Sequence, residues 1–241
     1  MGKYYSQIGQ DQYYIENISK GKRGGVFLDI GANDGVFDSN SAALEWDYGW
    51  TGLCIEANPS LIDSLKESRP ASKVVNCAVW HSPGEIHLEI TRSNRNGVRG
   101  DLLSRVTNVV KKDDYFKDHF KEESEIVTVK ARTINDVIKE QYGFPCSFDF
   151  MSMDIEGAEL QALKGIDFTQ VTIKFMTIEH GGRAGYKEKI IEYLSDYGFK
   201  LHRVNQWDVE LEKDPSMPVK PFAPYSESFF SKIWTKLTGK A

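Results

Sequence analysis

Asp154, Glu179 and His180 close two successive apolar runs, Phe148–Met153 and Val171–Ile178. Two carboxylates and an imidazole at adjacent strand ends form a set that either moves protons or ligates a cation. An oxygen-rich set of this kind favours Mg²⁺ or Mn²⁺. Without a metal, His180 is the expected general base, because an imidazole titrates near neutrality. Three earlier runs also end in polar or small residues. Val26–Ile30 contains Asp29 and stops at Gly31, Trp50–Glu56 ends in a carboxylate, and Val74–Val79 carries Asn76, Cys77 and Ala78. One such ending would mean little, but five in order place chemistry along a single rim.

The first of these runs, VFLDIGANDG from Val26 to Gly35, has the form of a buried strand that stops in a tight turn and opens a helix. Gly31 and Gly35 tolerate positive φ and put no Cβ in the way of a ligand. The spacing is G-x-x-x-G, which is neither the G-x-G-x-x-G of NAD-binding folds nor a P-loop with its lysine. Glu56 stands 21 residues beyond Gly35 at the end of the next strand, where an acidic side chain accepts hydrogen bonds from two ribose hydroxyls. No basic neighbour is present to hold a 2′-phosphate. These features point to a nucleoside ligand with little or no phosphate. S-adenosylmethionine is such a ligand, and its sulfonium suits an acidic rim. A nucleotide-dependent oxidoreductase and a non-catalytic binding module are the competing readings. The glycine spacing weighs against the first and the complete set of strand ends against the second.

Positioning such a rim requires a parallel sheet. From Val26 to Val79 the chain reads strand, helix, strand, helix, strand, with Asp38 or Ser39 capping the first helix and Pro59 in the first turn of the second. Glu85–Thr91 alternates like an edge strand, Ile126–Lys130 returns to a strand pattern, and Thr133 caps a helix over Ile134–Gln141. A helix containing Ile190, Ile191, Tyr193 and Leu194 stops at Gly198, and Phe199–Val204 with Trp207–Leu211 forms a closing hairpin. Three segments result: an N-terminal ordered flap over 1–25, a main domain over 26–212, and a Pro-rich tail with a short amphipathic helix over 213–241.

The chain has 241 residues, 40% apolar and 27% charged, with a net charge of −5. That length is enough for one full-sized α/β domain. The charge gives no drive toward nucleic acid. No run is long enough for a transmembrane helix, and no apolar leader begins the chain. Cys54, Cys77 and Cys146 are widely spaced in apolar settings, as buried thiols of a reducing compartment are, and this implies a cytoplasmic protein. Phe230, Ile233, Trp234 and Leu237 lie at helical spacing opposite Lys232, Lys236 and Lys240. This stripe either rests on a membrane holding a lipid-linked glycan or packs on the domain or a second subunit of a homo-oligomer.

DIGANDG, CIEANP, NCAV, FDFMSMDIEGAELQALKG and IEH, with SQIGQDQYY ahead of them, resemble the FkbM family of S-adenosylmethionine-dependent methyltransferases over most of the chain. The resemblance implies a class I methyltransferase fold: a Rossmann-like, doubly wound, mostly parallel seven-stranded sheet with an antiparallel last strand. It implies O-methylation, often of sugars or glycosylated natural products. By position, Gln10 and the stretch Asp29, Gly31, Ala32, Asn33 and Gly35 would hold the cofactor, the latter along its methionine part. Glu56 would hold the ribose with Asn58 beside it, Cys77 and Ala78 would border the adenine, and Asp154 would sit beside the transferred methyl. Sugar hydroxyls are weak acids, so a metal held by Asp154, Glu179 and His180 would assist, as in metal-dependent O-methyltransferases of other families. The basic stretch Arg92–Lys112 and Arg183 would face the acceptor, either binding an acidic glycan or forming a solvated loop.

Overall fold

A computed structural model of the chain describes residues 3–91, 104–107 and 124–224. Its strands, in chain order, are β1 (Val26–Ile30), β2 (Thr51–Glu56), β3 (Lys73–Asn76), β4 (Ala78–Val79), β5 (Gly84–Thr91), β6 (Ser104–Val106), β7 (Ser124–Arg132), β8 (Cys146–Met153), β9 (Val171–Glu179), β10 (Phe199–Val204) and β11 (Asp208–Lys213). Helices α1 (Gln10–Tyr13), α2 (Ala42–Trp46), α3 (Ile62–Ser68), α4 (Ile134–Tyr142), α5 (Glu159–Leu163) and α6 (Tyr186–Ser195) lie between them. Seven strands form the main sheet in the order β10-β11-β9-β8-β1-β2-β3. β1 runs parallel to β2 and β8, and β8 runs parallel to β9, with Ile30 opposite both Ile55 and Met153 and Met153 opposite Ile178. The carboxyl ends of four strands therefore finish at one level. The last strand, β11, runs antiparallel to both neighbours, and its register sets Asp208 opposite Glu179. This is the doubly wound, mostly parallel sheet expected from the sequence.

The pleat sorts side chains between two cores. Leu28, Ile30, Met151, Met153, Met176 and Ile178 belong to one cluster, which also takes in Ile134, Val137 and Ile138 of α4 and Ile190 and Leu194 of α6. Phe27, Phe150 and Phe175 face the other way, against Tyr14, Ile15, Leu44, Trp50 and Leu65. Continuing two residues along each strand, that second face turns polar: Asp29, Ser152 and Thr177, then Asp154 and Glu179. The N-terminal segment covers this face, with α1 running into a π-helical turn over Tyr14–Ile18.

Two element readings change. The third strand divides at Cys77, where the chain leaves the main sheet and β4 pairs with β7, Ala78 opposite Ala131. Glu85–Thr91 is no edge strand. β5 lies inside a separate four-stranded sheet ordered β4-β7-β5-β6. Its alternation is that of a strand with one buried face, and that face packs Leu88 and Ile90 with Val106, Val129 and Ala158. Helix ends follow local chemistry. Thr133 Oγ1 accepts from Asp136 N at 3.0 Å, and Ser39 Oγ accepts from Ala42 N at 3.1 Å. The stripe Phe230–Leu237 and, from the basic stretch, Arg92, Arg95, Arg99, Lys111 and Lys112 lie outside the described residues. Among the described residues no helix is long and apolar enough to cross a membrane.

Candidate active site

The glycine turn joins the ends of β1 and β8. Gly31 has φ +83°, and a Cβ there would lie 1.8 Å from the Asp154 carbonyl oxygen. Only glycine allows this approach. Asp154 N donates to Ile30 O at 3.0 Å, and Gly31 N donates to Ile55 O at 2.9 Å, so the turn is tied to both neighbouring strands. Beside it, Glu56 is 5% exposed. Its Oε2 accepts from Asn33 N at 2.9 Å and its Oε1 from Asn58 N at 2.7 Å. Burial raises its pKa against the pull of the amides of Asn58, Asn33 and Ala57. A carboxylate has about four acceptor positions, so capacity remains for a hydroxyl from a ligand.

These residues form one wall of a cleft. Gly31, Ala32, Asn33, Glu56, Cys77 and Ala78 line it, as do Gln10 and Asp29. Burial pushes the Cys77 thiol up to about 11, so it presents a neutral, apolar surface. Leu88 and Val106 of the second sheet close the cleft from outside.

Two predicted cofactor residues stand apart from the cleft. Gly35 faces α3, and a Cβ there would lie 2.4 Å from Ser68 Oγ and 2.7 Å from Arg69 Cγ. It is a packing glycine. Asn58 caps the turn ahead of α3, its Oδ1 accepting from Ser60 N at 3.0 Å and from Ser60 Oγ at 2.8 Å. Asp29 does line the cleft, but it is also bound from behind. Ser41 Oγ donates to it, and the fully buried Arg69 reaches it at 3.8 Å. Arg69 Nε also pairs with Glu45 at 2.9 Å, and Nη2 donates to Ser41 Oγ at 3.0 Å. This buried guanidinium pins the loop between the glycine turn and α2, and nothing in the linear sequence marks it.

Beside the glycine turn the lining is acidic. Asp154, Glu156, Glu179 and Asp208 line the cleft, with Glu159 buried behind them. Asp154 is exposed to the cleft. Crowding by the protein around it, then the charges of Glu156, Asp208 and Glu159, raises its pKa well above the usual carboxylate range. The Glu179 carboxyl is raised in the same way by burial and then by the charges of Asp154, Glu156 and Glu159. Carboxyls crowded in this way titrate together and not as independent groups. Glu159 builds the turn beneath them. Its Oε1 accepts from Ile155 N at 3.2 Å and Gly157 N at 3.0 Å, while Oε2 accepts from Tyr186 Oη at 2.8 Å. Arg183 lies 3.2 Å from Glu159 and 3.8 Å from Glu179. Its charge is spent inside this cluster and does not project toward an acceptor.

His180 does not join the pair. An extended chain sends successive side chains to opposite faces, so Glu179 facing the cleft turns His180 away from it. His180 is 5% exposed and lies off the cleft lining, with Nδ1 accepting from Gly182 N at 3.0 Å. Burial and then the Lys187 charge lower its pKa. The expected triad of Asp154, Glu179 and His180 is therefore not assembled, and among the described residues no cluster of three His, Cys, Asp or Glu could hold a metal ion.

The cleft also recruits residues the sequence reading missed. Asn40 and Ser152 line it, joined by an Asn40 Nδ2 to Ser152 Oγ bond of 3.0 Å. Trp207 and Asp208 arrive from the start of β11, and Gln10 Nε2 donates to Asp208 Oδ2 at 2.8 Å, tying the N-terminal segment to the acidic wall. Arg105, from the basic stretch, also lines the cleft and pairs with Glu89 at 2.9 Å.

The chain is 26% identical over 223 residues to Methyltransferase sdnD of Sordaria araneosa, covering 83% of this chain and 82% of that protein. Among solved structures, methyltransferase FkbM from Methylobacillus flagellatus KT matches with TM-score 0.47 at 18% identity, over 82% of this chain. The chain spans about half of that structure, 47% of its length. The TehB-like SAM-dependent methyltransferase from Corynebacterium glutamicum matches with TM-score 0.44 at 14% identity, covering 87% of this chain and 89% of that one. The profile of the methyltransferase FkbM domain matches residues 29–201, and the chain belongs to that family of methyltransferases.

Proposed function

We propose that the chain is an S-adenosylmethionine-dependent O-methyltransferase whose acceptor is a sugar or glycan hydroxyl. The observation that carries this reading is that Asp154 and Glu179 line one cleft beside the glycine turn and Glu56. The fit to the cofactor rests on three features: the cradle at Gly31 that a Cβ would fill, the spare acceptor capacity of Glu56, and an acidic wall that suits a sulfonium. When bound, the cofactor supplies a methyl group on a positively charged sulfur. Glu56 holds the ribose, the backbone of Gly31 to Asn33 lies along the amino-acid end, and Cys77 and Ala78 border the base. Asp154 with Glu179 takes the acceptor's hydroxyl proton as its oxygen bonds to the methyl carbon and the carbon–sulfur bond breaks. The raised basicity of the pair favours this transfer. His180 does not meet Asp154 and Glu179, so proton removal falls to the carboxyls. The separation of the three thiols, all free, supports a reducing compartment such as the cytoplasm.

A transfer assay with methyl-labelled cofactor and a panel of sugars, nucleotide sugars and glycans tests the reading. Label is expected on a hydroxyl oxygen of at least one carbohydrate. Label only on nitrogen, or only on non-carbohydrate small molecules, would refute the acceptor class. Tight cofactor binding with no turnover on any acceptor would mark a non-catalytic module.

A further inference from the structure

Asn40 lines the cleft just ahead of α2 and is 8% exposed. Its Nδ2 is engaged by Ser152 Oγ, yet its Oδ1 is buried with no donor among the described residues. Native folds leave few buried acceptors unsatisfied, because the desolvation cost has no return. The segment carrying Asn40 is pinned on both sides. Ser39 Oγ accepts from Ala42 N, and Ser41 Oγ donates to Asp29 while accepting from Arg69. Ser152, the amide's anchor, pairs in register with Asp29, and two residues further along the same face is Asp154. An acceptor so placed, beside a wall carrying Asp154, Glu179 and Asp208, suits a cationic N–H donor far better than an anion.

We propose that Asn40 is a binding residue for the charged amino-acid end of the methyl donor, its Oδ1 accepting from the ligand's ammonium while Ser152 positions the amide. This rests on the reading of the donor as S-adenosylmethionine. The experiment compares two ligands by calorimetry: S-adenosylhomocysteine, and 5′-methylthioadenosine, which keeps nucleoside and sulfur but has no amino acid. Asn40→Ala is expected to weaken S-adenosylhomocysteine about tenfold, the size of one hydrogen bond to a charged group. It should leave 5′-methylthioadenosine unchanged. Asn40→Asp, which retains an acceptor oxygen, should bind S-adenosylhomocysteine at least as well as Asn40→Ala does. Ser152→Ala, which leaves Asn40 in place, should weaken the same ligand by a smaller factor, and it carries the test if a melting curve shows that Asn40→Ala is unfolded. Equal losses on both ligands, or no loss on S-adenosylhomocysteine, overturn the assignment while leaving the donor reading intact. Wild-type protein that binds neither ligand overturns the donor reading and the assignment together.

Discussion

Two aspartates on one strand, Asp149 and Asp154, show what separates a structural carboxylate from a chemical one. Asp149 stands near the start of β8. Its Oδ1 accepts from Lys22 Nζ at 2.9 Å and Lys174 Nζ at 2.7 Å, and its Oδ2 from Val26 N at 3.2 Å. Partial burial would raise its pKa, but Lys174, Lys22 and the Val26 amide outweigh this and hold it below the usual range. Asp154, just past the other end of the strand, is crowded by protein and by the charges of Glu156, Asp208 and Glu159, and is held above it. One end of the sheet gives its carboxylate every partner it needs. The other end crowds carboxyls together, and the resulting basicity suits the proton transfer proposed for Asp154.

The sign of the pH response follows. A carboxyl with a depressed folded pKa adds stability that is present above the ordinary carboxylate pKa and lost as pH falls through the folded value. That describes Asp149. The raised pair Asp154–Glu179 acts in reverse, costing stability as pH rises from the ordinary range to the raised one. The largest expected effect lies there. Asp154→Asn should lower kcat by about 10³-fold, within the range of a lost general base, while S-adenosylhomocysteine affinity largely survives and the melting temperature does not fall. Asp208→Asn should cost less and should move the rising limb of the rate–pH profile to lower pH, because it removes a charge that raises Asp154. A limb that stays in place in Asp208→Asn would show that Asp154 is not the base.

This asymmetry was only partly legible in the sequence. The apolar runs and Gly31 announced β1, β2, β8 and β9, and parallel strands must bring their ends to one rim, so Asp29, Glu56, Asp154 and Glu179 could be placed from order alone. Asp208 and Trp207 could not, because they reach the rim through a strand inserted antiparallel between β9 and β10, a long-range pairing with no local signature. Gly35 looked like part of the ligand loop because its need for empty space was visible but its occupant, α3, was not. Arg69 and Asn40 act through folded neighbours on other segments. The second sheet escaped notice because a half-buried strand alternates in the same way whether it borders the main sheet or founds another.

At the other end of β8, the expected effect is on stability alone. Asp149→Asn should lower unfolding free energy by about 1 kcal/mol. The figure is small because Lys22 and Lys174 are 44% and 61% exposed and water already screens them. Denaturant unfolding at neutral pH should show the loss, and it should shrink in acid, where the wild-type carboxylate takes up its proton. The variant's kcat should match that of wild type. A tenfold drop in kcat would mean that the two ends of β8 are not separable.

The smallest effect is expected where the sequence had placed a catalytic imidazole. His180 lies one residue beyond Glu179, and the extended backbone turns it from the cleft toward the Gly181–Gly182 loop, where Nδ1 accepts an amide hydrogen bond. An asparagine oxygen can accept that same bond, so His180→Asn should keep kcat within about twofold of wild type. Because the imidazole does not meet Asp154 and Glu179, wild-type turnover should also survive dialysis against a chelator. The two measurements act jointly. If His180→Asn and chelation each lowered kcat by the factor seen in Asp154→Asn, and Mn²⁺ restored only the chelated wild type, the imidazole would have to swing to the rim during catalysis. The contrast between the two aspartates would then be one between a structural carboxylate and a metal ligand.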